Sequence, residues 1–328
     1  MTQERPTVGV IEAISTGFDV VIRRPWLTLV PIVLDLFLWI GPRLLAGSLY
    51  DQLAPSLNQL ATGMDANQLL ALQDLRQMIQ EFFTKFNLFS WLSVGLFGVP
   101  SVNAGIDATA RLVTGAMPQA VQVTGFDTFF LLLISLSAIG LFIAGFFWVM
   151  LSGPLRGEAF IAAHWLRQGA AVGIKLVTFG ALLAFGAVLL AVPIWFVMFV
   201  LGSMGIGLVS LMPALLLMVI VWALFYFAFT AHGLALYQLP FQKAMRLSAV
   251  IGRTYFMPTL SLIGLSVAIY LGLGLIWDAF AADSWLRVIA IVGHAFIATG
   301  LAMASLVYYR NRSAIVLDRA HLPQPIGS

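Results

Sequence analysis

The chain has 328 residues, of which 61% are hydrophobic and 9% charged, and its mean hydropathy is +0.98. Soluble domains carry roughly 25% charged residues, so this composition excludes water as the main solvent and marks an integral membrane protein. Cysteine is absent, which excludes disulfides, thiolate zinc sites, iron–sulfur clusters and thioether-linked haem, and the net charge of +3 is spread over short loops rather than gathered into a nucleic-acid-binding patch.

In chain order, the first 24 residues mix charges and lack an apolar core ahead of a small-residue cleavage site, so a cleaved signal peptide is not expected. Apolar runs of the roughly 20 residues needed to cross a bilayer then fall at 26–49, 128–151, 176–201, 208–236, 258–280 and 285–309. The expected fold is therefore an all-α integral membrane protein, a six-helix bundle in which residues 1–310 form one membrane domain and 311–328 a cytoplasmic tail. The stretches "GSMGIG" (202–207) and "AADS" (281–284) read as tight turns that make helical hairpins of spans three and four and of spans five and six.

The first span, "PWLTLVPIVLDLFLWIGPRLL", contains Asp35, about eleven residues beyond Arg24 and about eight before Arg43, which is near mid-membrane at 1.5 Å per residue. A carboxylate there costs several kcal/mol on most scales and calls for a partner or water. His294 is the candidate partner, because its distance from Arg287, roughly 10 Å of helix rise, matches the depth of Asp35 below Arg43. The pair admits three readings: a protonated Asp35 bonded to a backbone carbonyl near Pro31 with His294 bonded elsewhere, a static Asp35–His294 pair, or a proton relay.

Between the first two spans, residues 51–125 form an outer segment. "DANQLLALQDLRQMIQEFFTKF" (65–86) spaces Leu69, Leu72, Leu75, Met78, Ile79, Phe82 and Phe83 as one face of an amphipathic helix. "FNLFSWLSVGLFGVPSV" (86–102) is too short and too rich in glycine and proline for a span, and fits an interfacial or re-entrant piece. With this count, twelve Lys and Arg fall on the side of the N-terminus and five on the other, so both termini are expected in the cytoplasm of a bacterial inner membrane.

Three segments, 9–29, 155–176 and 240–260, each read as an amphipathic surface helix of about 15 residues leading into a span, which suggests three repeats of surface helix plus hairpin. In the third, Lys243, Arg246 and Arg253 form the polar stripe. The motif "EAISTGFDVVIRRPW" resembles the membrane domain found in some glycerophosphodiester phosphodiesterases, without their catalytic domain. "NLFSWLSVGLFGVPSV" resembles uncharacterised multi-spanning proteins of the Chloroflexota. The second resemblance implies no activity of its own, but bacteria of that group carry quinol-oxidising assemblies resembling alternative complex III, in which cofactor-free helical subunits flank a redox core.

No Gly-Lys-Ser/Thr phosphate loop, His-Glu-x-x-His or Gly-x-Ser-x-Gly occurs in the sequence. His232 is expected near the cytoplasmic end of its span and His294 in the outer half of another, a mismatch in depth that opposes a bis-histidine haem, while His164 and His321 read as solvated. Small residues Ala295, Ala298, Thr299, Ala302 and Ala304, with Gly140 and Ala144, offer close helix packing, and Trp222, Phe225, Tyr226, Phe227 and Phe229 offer a bulky face to lipid, quinone or a neighbour. The expected function is a non-catalytic, cofactor-free structural or accessory subunit of a larger membrane complex. Its partners would be lipid and other membrane subunits, with no nucleic acid. The alternative is a transporter or lipid-handling protein with Asp35 on its path.

Overall fold

Two short helices precede any long one: α1 (Val10–Arg23) and, after a 3-10 turn at Pro25–Thr28, α2 (Leu29–Ile40). The computed structural model describes residues 7–62, 66–93, 97–105, 107–111, 113–115, 118–158, 161–203 and 212–319. After α2 come β1 (Arg43–Leu45), α3 (Gly47–Leu60), α4 (Ala66–Lys85), a 3-10 turn (Leu88–Leu92) and β2 (Ala120–Gln122). The remainder is helical: α5 (Phe126–Arg156), α6 (Ala162–Ser203), α7 (Met212–Phe227), α8 (Thr230–Leu236), α9 (Phe241–Thr254), α10 (Phe256–Asp278) and α11 (Arg287–Arg319).

Among the described residues, five stretches are long and apolar enough to cross a membrane: α5, Ala162–Val197 of α6, Ala214–Leu236 across α7 and α8, α10, and Arg287–Asp318 of α11. The chain is thus predominantly helical and fits a multi-pass membrane protein. Pro25–Ile40 is apolar but shorter.

Three boundaries differ from the sequence expectation. The span predicted over 26–49 is helical only to Ile40, because Gly41 takes an extended conformation ahead of Pro42, whose ring disfavours helix in the residue before it. The chain then enters β1, which pairs in parallel with β2 through Arg43–Ala120, Leu44–Val121 and Leu45–Gln122, a two-stranded element absent from the all-helical expectation. The surface helix predicted near 155–176 is not separate from its span: α6 runs unbroken from Ala162 through Gly169 and Gly173. The tail predicted from residue 311 is helical to Arg319, because Arg312, Ser313 and Ile315 are buried and Arg312 donates to the Val8 carbonyl at 3.0 Å. Most of the "GSMGIG" turn, and His321, lie outside the described residues. "AADS" is a turn between α10 and α11.

The chain divides into two compact units, one of residues 1–23, 141–267 and 300–328, the other of 24–140 and 268–299. In the first, small residues set the packing. A Cβ on Gly17 of α1 would stand 2.5 Å from the Ala304 nitrogen and 2.7 Å from the Gly300 carbonyl oxygen, and one on Gly173 would stand 2.7 Å from the Phe142 carbonyl oxygen. These obstacles are backbone and cannot rotate away. Gly17→Val therefore costs about 1–3 kcal/mol and raises the opening of α1 by roughly 5- to 150-fold; limited trypsin cleavage of the full chain after Arg23 reads it, the bond after Arg24 being protected by Pro25.

The same unit satisfies the break between α7 and α8 with a side chain from α9. The Ser248 hydroxyl accepts from the Phe229 N–H at 3.0 Å and donates to the Tyr226 carbonyl at 2.7 Å. It thus serves two backbone groups that the interrupted helix leaves unpaired.

In the second unit, α3 and α4 pack as a hairpin, but the apolar stripe of α4 is largely uncovered: Leu75, Met78 and Phe82 are exposed, and Leu72 is buried. Gly140 of α5 meets the Leu92 backbone without room for a Cβ. The unit's core otherwise gathers around α2 and the first turns of α11.

Candidate functional site

The buried positions of α2 are Pro31, Leu34, Asp35, Leu38 and Trp39, a stripe at helical spacing with the carboxylate at its centre. Val33, Phe37 and Ile40 are exposed on the opposite side. Burial of that stripe therefore carries Asp35 inward with it, to 0% exposure.

A non-helical stretch meets the carboxylate. Beyond Pro100 the Ser101 hydroxyl donates to Asp35 Oδ1, the Val102 N–H donates to Oδ2 at 3.2 Å, and the Asn103 N–H donates to Oδ1 at 3.0 Å. Two successive backbone N–H groups aimed at one carboxylate form an anion-holding nest. Asn103 closes the contact in the other direction, its Nδ2 donating to the Asp35 carbonyl at 3.1 Å. The carboxylate replaces the ladder partners that this irregular backbone lacks, the condition under which non-helical chain is tolerated away from water.

Arg287, at the first turn of α11, fixes the same stretch from its other side. Its Nε donates to Asn103 Oδ1 at 2.9 Å and its Nη2 to the Val102 carbonyl at 3.1 Å. Nη1 donates to the carbonyls of Trp277 and Phe280 at 3.0 and 3.1 Å, so the same guanidinium also caps the C-terminal end of α10. Asp278 approaches Nη1 at 4.0 Å but is largely exposed, which leaves it a minor contributor. Trp39 adds a further tie, its Nε1 donating to the Ala282 carbonyl at 2.6 Å in the α10–α11 turn while its ring meets Trp285 edge-on. Together α2, residues 101–103 and the α10–α11 hairpin form one hydrogen-bonded clasp.

His294 Nδ1 lies 4.0 Å from Asp35 Oδ2, beyond hydrogen-bonding distance, and has no hydrogen-bond partner among the described residues; the ring packs edge-on to Tyr270. The two residues singled out in the sequence are neighbours, then, but the hydrogen bonds of Asp35 go to Ser101, Val102 and Asn103. Sequence reasoning misses those partners because they lie far along the chain in a stretch without helical period. The available signal is "PSVN": serine and asparagine just after a proline are turn formers whose side chains seek local backbone. From sequence, Arg287 serves only as a marker of the outer interface.

The other polar centres have different surroundings. Arg43 is 1% exposed and donates from Nη2 to the Trp39 carbonyl at 2.9 Å, and its Nε and Nη1 have no partner. Asn87, also buried, accepts from the N–H groups of Leu44 and Phe89 and so joins β1 to the second 3-10 turn. In the other unit His232 is packed among Trp148, Phe229 and Tyr309, with Nε2 2.6 Å from the Ser305 hydroxyl. His164 is exposed and hydrogen-bonds Gln168. Among the described residues no three His, Asp or Glu side chains gather as a metal-binding group.

The clasp holds backbone: the acceptors of Asp35 and the donors of Arg287 are engaged inside the protein. No family model, curated protein or solved structure matches the chain.

Proposed function

We propose that the protein is a non-catalytic integral membrane protein, a cofactor-free structural or accessory subunit of a larger complex in a bacterial inner membrane. The observation that carries this reading is the enclosure of Asp35, the one deep carboxylate of the apolar stretches, by Ser101, Val102 and Asn103, which makes it a fastener of the fold. A route for an ion or solute past Asp35 has less support, since the side chain has 0% exposure and both oxygens are already engaged.

Partner subunits have surface available. Only 6% of the apolar window of α6 is buried within the protein, against 56% for α11. Phe185, Val188, Leu189, Trp195 and Phe196 stand out along α6, and Leu75, Met78 and Phe82 along α4. Lipid covers part of such a surface and a neighbouring subunit the rest. An electron-transfer assembly resembling alternative complex III is the proposed setting, with this chain as a flanking subunit.

If Pro25–Ile40 crosses along with the five longer stretches, the count of six supports the reading that both termini lie on the Lys- and Arg-rich cytoplasmic side. A repeated plan is supported at two places, where α1 leads into the turn before α2 and α9 leads into α10 through the single residue Tyr255. The test is gentle detergent extraction followed by native electrophoresis and mass spectrometry of the band. A high-mass assembly with co-migrating membrane proteins is expected, and recovery solely as a monomer would defeat the proposal.

A further inference from the structure

We infer that the outer face of α9 is a binding site for the headgroups of anionic phospholipids. Helix α9 buries Ala244, Ser248, Ile251 and Gly252 and leaves Lys243, Arg246, Val250 and Arg253 exposed on the opposite side. The exposed residues succeed one another at intervals of three and four along about 15 Å of helix. They make a single stripe of three cations with one apolar side chain among them.

No acidic residue lies on α9, nor on α7 and α8, the helices packed against it. Among the described residues, Lys243, Arg246 and Arg253 make no ion pair and no hydrogen bond. The comparison with α1 is informative, since its polar side carries Glu12 and Asp19 beside Arg23 and therefore has no uniform charge.

The start of α10 favours a lipid headgroup over an acidic protein. Tyr255 alone separates α9 from α10, whose first turns expose Met257 and Leu260 for contact with acyl chains. The cations thus stand at the entrance of an apolar stretch that is long enough to span, where phosphodiester groups are concentrated. Val250 at 44% exposure, placed among the cations, suits an interface with both charged and apolar layers. Each cation offers N–H donors to phosphate oxygens, and the long stems reach along the helix to them. The site needs membrane lipid but is independent of whether the chain joins an assembly.

The test uses the full chain purified in dodecyl maltoside and titrated with fluorescent phosphatidylglycerol or fluorescent phosphatidylcholine. The wild type should prefer phosphatidylglycerol, and unlabelled phosphatidylglycerol should displace the label. The triple variant Lys243→Gln, Arg246→Gln, Arg253→Gln should lose that preference roughly 100-fold, with helicity by circular dichroism and elution volume unchanged. Lys243→Arg combined with Arg246→Lys and Arg253→Lys should retain it, and so should Lys85→Gln on α4. Equal binding of both lipids by the wild type, as when an acidic protein segment is the natural occupant, would overturn the inference. So would an unchanged preference in the triple variant, or displacement of the label by inorganic phosphate as effectively as by lipid, which would mark a site for free anions.

Discussion

Replacing Asp35 with alanine should cost about 3–5 kcal/mol, the range for removing one partner from a buried charge network. The loss comes from the groups left behind. Without the carboxylate, the Val102 and Asn103 N–H groups and the Ser101 hydroxyl are buried donors that have lost their acceptor. The His294 ring, whose Nδ1 stands 4.0 Å from Asp35 Oδ2, carries no negative charge to take the place of the nest-bound anion. Asp35→Asn tests the sign of the charge at constant shape. Its Oδ1 can accept as before, but its NH2 meets donors, so it should fall between wild type and alanine. Thermal unfolding of the solubilised protein, monitored by loss of monodisperse elution, gives that order. If alanine melted like the wild type, Asp35 would not fasten residues 101–103.

The second large effect is expected for Arg287→Leu, which should also cost about 3–5 kcal/mol. Leucine fills much of the volume but leaves Asn103 Oδ1 and the carbonyls of Val102 and Phe280 without the donors they have here, and leaves the Trp277 carbonyl only the Phe280 N–H. Arg287→Lys should recover only part of the loss, because one ammonium cannot serve acceptors that the planar guanidinium reaches from three nitrogens. Asp35 and Arg287 both act on Val102 and Asn103, so their effects should not add. The double variant Asp35→Ala, Arg287→Leu should be less destabilised than the sum of the singles, by a coupling of roughly 0.5–3 kcal/mol. Strict additivity would show that they fasten separate parts of the unit.

The long helices are legible in the sequence because hydropathy over about 20 residues is a strong signal of one dominant force. α5 covers its predicted span, α10 all but its last two residues and α11 all but its first two. The features that escape the sequence depend on contacts between distant parts of the chain. The end of the first apolar helix at Ile40 is signalled by Gly41 and Pro42, but the run continues past them in Leu44, Leu45 and Leu49, and hydropathy alone carries the span to residue 49. Those leucines are buried in β1 and α3 instead. The continuity of α6 is hidden by charged and polar residues at His164, Arg167, Gln168 and Lys175, which read as a surface helix; Gln168, however, is buried and hydrogen-bonded to Arg156.

For the site, the residue types are legible and the wiring is not. A lone carboxylate in an apolar run announces a partner, but a search along helices favours an imidazole at matching depth. Main-chain N–H groups in a loop have no sequence signature, and Arg287 is equally plausible as an interfacial anchor. Only the fold shows that the arginine points back toward Asn103.

Synthesis from the N-terminus gives the clasp a temporal consequence. Asp35 leaves the ribosome long before Ser101 and Asn103, and about 250 residues before Arg287. At roughly 5–20 residues per second this separates the carboxylate from its last fastener by roughly 10–50 s. Until residues 101–103 emerge the Asp35 acid lacks its partners, and until Arg287 follows those residues lack their second fastener. The clasp closes only when the α10–α11 turn has emerged, so a hairpin translated late fastens a helix translated early.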